Sequence, residues 1–117
     1  MTSLELAVQA AKALDSKKAK DIKVIGIRDV SIIADYFVLA TGTSSTHVKS
    51  LADETEFQLE KSGFQPGHKE GYRSNSWILL DYGNVVVHVF TEESRKFYDL
   101  DRLWQDGEIV DLSKYLN

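Results

Sequence analysis

Hydrophobic positions change their spacing several times along the chain, and each change marks an element. Leu4, Ala7, Val8, Ala11 and Leu14 recur at helical intervals, with Thr2 and Glu5 at capping-box spacing ahead of them. From Ile22 to Ile27 the spacing becomes an alternation rich in β-branched residues, which predicts a strand. Tyr36-Phe37-Val38-Leu39-Ala40 is apolar almost without interruption, as a strand buried on both faces should be. The polar run Thr41 to Thr46 offers N-caps for a helix with Val48, Leu51, Ala52, Thr55 and Leu59 on one side, and Gly63 is placed to end it in a left-handed conformation. Residues 64–76 hold the only proline and read as a loop around a short edge strand. Trp77–Asp81 and Val85–Phe90 form a hairpin, a third helical region begins near Glu92, and the pattern after Gly107 is ambiguous. Helix, two strands, helix, two or three strands, helix predicts an α/β fold, a mixed β-sheet with flanking helices in two or three layers. The length suits one domain, residues 1–117.

The hairpin is the most informative stretch. With Gly83 and Asn84 as the loop pair, Trp77 opposes Phe90, Leu79 opposes His88 and Asp81 opposes Val86, and opposed residues share a face. A Tyr82-Gly83 loop or a four-residue loop shifts the partners by two and leaves the faces unchanged. One face then carries Ile78, Leu80, Val85, Val87 and Val89, an aliphatic core. The other carries Trp77, Leu79, Asp81, Val86, His88 and Phe90, large aromatics mixed with a carboxylate and an imidazole. Such a mixture fits the anchors of a protein interface; it also fits a face roofed by a helix, with Asp81 and His88 paired or at the rim. Residues 77–104 contain six of the chain's twelve aromatics (two Trp, five Tyr, five Phe), more than a core alone requires.

Charge narrows the partner. Eighteen acidic against fourteen basic residues give a formal net charge of −4, the wrong sign for a protein that grips nucleic acid through phosphates. An acidic domain is better suited to a basic protein surface. The densest basic stretch, Lys17-Lys18-Ala19-Lys20, reads as a solvated helix C-terminus. Cysteine is absent, no apolar run approaches the roughly 20 residues of a membrane span, and the first residues lack signal-peptide character, so the cytosol is the expected compartment.

Catalytic chemistry finds little support. Gly42-Thr43-Ser44-Ser45 ahead of a helix resembles the start of a nucleotidyltransferase site, but that chemistry needs paired strand carboxylates for magnesium. The turn leads instead into a helix with a single Asp53, and Asp99 and Asp101 lie beyond the last strand. The serine-threonine run is read as capping. His47, His68 and His88 fall in three different elements, so no zinc site is expected.

Several strings occur together in consistent order between residues 4 and 106: Asp21-Ile22, Ala34-Asp35-Tyr36-Phe37-Val38, Ala40-Thr41-Gly42-Thr43-Ser44, Glu70-Gly71, Trp77-Ile78-Leu79-Leu80-Asp81-Tyr82-Gly83, Val86-Val87-His88-Val89-Phe90, and Arg95-Lys96-Phe97-Tyr98-Asp99-Leu100 with Leu103-Trp104. In these the chain resembles the ribosomal silencing factor (iojap-like) family. It departs from the family pattern at Asn84, where aspartate is usual, and at Asp101, where glutamate is usual. The resemblance implies a nucleotidyltransferase-like fold without transferase activity or cofactor. It implies a translational repressor that binds the large ribosomal subunit through its protein number fourteen, blocks joining with the small subunit in starvation or stationary phase, and often forms a homodimer. Carried onto this sequence, the partner-binding residues are Trp77, Leu79, Asp81, Tyr82, His88, Phe90, Tyr98, Leu100, Asp101 and Trp104. Trp77, Phe90 and Trp104 are expected as apolar anchors, with Asp81, Asp99 and Asp101 meeting basic side chains. The alternatives are a magnesium-dependent nucleotidyltransferase-like enzyme and a scaffold whose aromatic face meets its own copy.

Overall fold

The computed structural model describes residues 1–116. In chain order the elements are α1 (Ser3–Ser16), β1 (Lys20–Gly26), β2 (Tyr36–Gly42), α2 (Ser45–Lys61), β3 (His68–Glu70), β4 (Trp77–Asp81), β5 (Val85–Thr91), α3 (Glu92–Tyr98), α4 (Leu100–Leu103) and β6 (Glu108–Ile109), followed by a 3-10 turn at Leu112–Lys114. The strands form one mixed sheet in the order β3-β4-β5-β2-β1-β6. Only β2 and β5 run parallel, and they do so at its centre. No helix among the described residues is long and apolar enough to cross a membrane.

Helix ends follow the local chemistry. Thr2 and Glu5 form the expected reciprocal capping box at the start of α1. At the end of α2, Gly63 (φ +89) donates its N–H to Glu60 O and Phe64 donates to Leu59 O, the paired bonds of a Schellman motif. The same two bonds close α1, from Lys18 to Asp15 O and from Ala19 to Leu14 O, but here a lysine holds the left-handed position at φ +64. The Lys17–Lys20 cluster is therefore not the last turn of a helix, as its composition suggests. It is the exit from one, and Lys20 already belongs to β1. β1 starts two residues before the alternation does, through a bulge at Lys20–Lys23 with Asp21 at φ +49.

The layers divide by strand parity. Leu6, Ala10 and Leu14 of α1 and Val48, Leu51 and Leu59 of α2 pack on Val24, Val38, Ala40, Ile78, Leu80, Val85, Val87 and Val89. On the opposite face Ile25, Ile27, Phe37, Leu39, Val86 and Phe90 form a second cluster with Leu100 of α4, and Trp77, Leu79 and Trp104 lie at its margin. The result has three layers: a long-helix layer, the sheet, and a short layer of α3 and α4. β2, the strand with an unbroken apolar run, is buried along nearly all its length because it has neighbours on both edges and layers on both faces.

Candidate docking surface

β4 and β5 pair in the register that a Gly83-Asn84 loop dictates: Trp77 with Phe90, Leu79 with His88, Asp81 with Val86. Tyr82 N–H to Val85 O (2.9 Å) closes the loop, and Asp81 Oδ1 accepts from Gly83 N–H at 2.8 Å. The loop before β4 is fixed by a close approach. Gly71 sits at φ +93, and a Cβ there would overlap the carbonyl oxygen of Trp77, so only glycine lets the chain run this tightly against the strand that carries the tryptophan.

The second face of the hairpin is neither open nor sealed. α3 and α4 roof its β5 side: Phe90 is 0% exposed, His88 4% and Leu100 9%. Its β4 side remains half-buried at Trp77, Leu79 and Asp81. This corrects the sequence reading in which Phe90 is a contact anchor and His88 and Leu100 face the partner. Those three lie beneath the surface, because the chain turns back over β5 directly after Thr91. Tyr82, half-buried, is placed apart from the other candidates. Its ring packs with the α1–α2 cluster on the other face, and its hydroxyl pKa is raised by burial and by the charge of Glu56.

Seven rings connect the interior to the surface. Phe97 contacts Tyr98 (5.0 Å between centroids), and Tyr98 contacts Trp77 (4.5 Å). Trp77 stacks on Phe90 (5.1 Å) and tilts toward His88 (5.9 Å). His88 meets the edge of Phe37 (4.7 Å), and Phe37 meets Trp104 (5.3 Å). Trp77 Nε1 donates to His88 Nδ1 at 3.1 Å, which makes that nitrogen an acceptor and places the ring proton on Nε2. Burial lowers the His88 pKa from 6.5 to about 4, so the imidazole is neutral.

At the solvent end the chain exposes apolar groups in a way no core explains. Phe97 is 79% exposed, Leu103 67% and Tyr98 48%, beside half-buried Trp104. Phe97 and Leu103 are missing from the sequence-derived set, although both stand inside the string that carries the resemblance. Their signal is an apolar residue amid charges on a helix of only seven or four residues, too short to reveal which side faces out. Asp101 already has partners of its own. Arg95 and Lys23 engage its carboxylate within the chain, and hydrogen bonds from Arg95 first, then Lys23, hold it well below the usual carboxylate range. Among the described residues no three His, Asp or Glu side chains converge as a metal site. A concavity of about 500 Å³ at the β1–β6 edge touches none of the ten candidate residues.

A mixed α/β sheet with an aromatic, acid-edged surface at one corner defines a structural class, and comparison with known proteins specifies it. The whole chain, residues 1–117, matches the family described as "Ribosomal silencing factor during starvation", and the chain belongs to that RsfS family. The ribosomal silencing factor RsfS of Bacillus subtilis is 39% identical over 108 residues, 92% of each chain. The Iojap protein of maize chloroplasts is 32% identical over 109 residues, 93% of this chain but 47% of its own length. A crystal structure of a Chromobacterium violaceum protein matches with a TM-score of 0.87 at 34% identity, covering 90% of this chain and 88% of that one. A Bacillus halodurans structure matches at 0.78 and 35% identity, covering 93% and 96%. A ribosome-associated silencing role follows from membership.

Proposed function

We propose that the chain docks on the large ribosomal subunit through that subunit's protein number fourteen, using the ledge of Trp77, Leu79, Phe97, Tyr98, Leu103 and Trp104. The docked protein then occupies volume that the small subunit needs, and joining fails without any turnover. The observation that carries the reading is the exposure of Phe97, Tyr98 and Leu103 on the successive short helices α3 and α4, with Phe97 packed on Tyr98 and Tyr98 on Trp77. A pre-ordered aromatic surface loses little side-chain freedom on binding. Desolvated anchors of this kind are worth about 2 kcal/mol or more each. Asp81 lies two residues from Leu79 on the same strand face and Asp99 follows Tyr98, and with a net charge of −4 they favour a basic protein over RNA. A transferase reading is weakened because Asp101, half of the Asp-x-Asp pair, is committed to Arg95 and Lys23. The compartment of action is the cytoplasm, where such subunits meet.

The test is sedimentation of purified large and small subunits with the protein. The wild type should travel with large subunits and deplete the joined particle. Phe97→Ser and Leu103→Ser, both at exposed positions, should keep the fold and lose at least about tenfold in affinity, and Trp77→Ala should lose more. If all three variants are folded and still suppress joining at wild-type concentration, the ledge is not the docking surface.

A further inference from the structure

The ledge is built from two short helices that meet at an unfavourable corner. Asp99, the residue between α3 and α4, adopts φ +50, ψ +50, a left-handed conformation, and its side chain makes no capping bond. Phe97 and Tyr98 stand before this corner, and Leu103 and Trp104 after it. Helices of seven and four residues cannot fix their mutual angle by themselves.

One side-chain cluster spans the corner. Arg95, before it, is only 11% exposed at its side chain. Its Nε donates to Asp101 Oδ2 at 2.8 Å and its Nη2 to Oδ1 at 2.9 Å, while Nη1 donates to Thr41 Oγ1 of β2 at 2.9 Å. Lys23 of β1 reaches Asp101 Oδ1 at 2.8 Å. The planar guanidinium thus ties α3 to α4 and to β2, with geometry that a point charge cannot reproduce, and Lys23 adds the tie from Asp101 to β1.

We propose that Arg95 and Asp101 are positioning residues of the docking ledge: the two-pronged bond across Asp99 sets the angle between α3 and α4, and so holds Phe97 and Tyr98 in register with Leu103 and Trp104. This rests on the docking surface proposed above. It also replaces the sequence expectation for Asp101, which is contact with basic side chains of the ribosome.

The two roles for Asp101 predict opposite results when Arg95 is removed. A contact carboxylate would be released by Arg95→Gln, so binding would hold or improve. Loss in Asp101→Asn would then fall on the association rate and fade as salt is raised. A positioning pair predicts that Arg95→Gln, Arg95→Lys and Asp101→Asn each weaken binding to purified large subunits by about tenfold. The loss should lie in the dissociation rate, persist at high salt, and be no greater in the Arg95→Gln/Asp101→Asn double variant than in either single one. Circular dichroism establishes that each variant is folded. Should Arg95→Gln fail that check, Thr41→Val, which removes one acceptor and leaves no charge unpaired, is expected to speed dissociation by about threefold. Phe97→Ser serves as the control. If it, Leu103→Ser and Trp77→Ala all bind like wild type, the docking reading itself falls. If it loses binding while folded Arg95→Gln, or Thr41→Val in its place, dissociates at the wild-type rate, docking stands and the positioning role is overturned.

Discussion

His88 shows how one side chain serves both interior and surface. Its Nδ1 accepts the indole proton of Trp77, and its ring lies between Phe37 and Phe90, in surroundings that lower its pKa to about 4. A histidine buried in neutral form stabilises the fold fully above its ordinary pKa of 6.5. Below that the unfolded chain gains a proton that the folded one does not, and the contribution is lost as pH falls to about 4. The stake is on the order of 3 kcal/mol. Asp101 has a depressed carboxyl, so its contribution is present above 3.8 and fades only below that, in a separate window. Urea midpoints at pH 7.5 and pH 4.5 should therefore differ far more in wild type than in His88→Leu. Equal pH dependence in the two proteins would refute the assignment. The sequence identifies His88 as lying on the Trp77 face, because alternation fixes the side of a strand. It cannot identify the hydrogen bond or the burial, which depend on what lies above.

The elements separate local from tertiary information in the same way. Capping at Thr2, the glycine at the end of α2, the hairpin register and the two-faced division of β4–β5 all follow from spacings of a few residues, and these are legible. The roof over β5 is not. A short amphipathic stretch after Thr91 is visible, but its direction is set by a left-handed Asp99 that looks like any other aspartate in a helix. The Arg95–Asp101 bond is hidden for the same reason. A separation of six residues does not bring side chains together on a continuous helix, and it does so here only because the helix breaks between them. That single corner also conceals Phe97 and Leu103 as surface residues and lets Phe90 pass for one. Lys18 also holds a positive φ, +64, at the end of α1. Lys18→Gly should raise stability by about 0.5–1 kcal/mol, measured by urea denaturation, since glycine enters the left-handed region without Cβ strain. An unchanged or lower midpoint would show that the lysine stem contributes contacts worth more than its strain.

At the level of the whole molecule, the sheet is strongest at its centre and weakest at both margins. β2 and β5 are enclosed by neighbours and by both helical layers, whereas β3 has three exposed residues and β6 only two. Native-state hydrogen exchange should find the slowest amides in β2 and β5, opening only with global unfolding, and the fastest strand amides in β3 and β6. Protection in β3 equal to that in β2 would contradict this ranking. The proposed docking ledge occupies an intermediate place, held to the stable centre through Thr41 and Phe37 but built on helices that could not persist alone.

The parallel pair has a further consequence for how the protein comes into being. Tyr36 lies beside Val85 and Gly42 beside Thr91, so the middle of the sheet joins segments 49 residues apart in sequence. During synthesis β2 must wait, apolar on both sides, while some fifty further residues are added and leave the exit tunnel. Only then can its parallel neighbour arrive and the ledge be assembled on top. On the proposed reading, docking therefore waits until the chain has been made through Trp104 and β5 has joined β2.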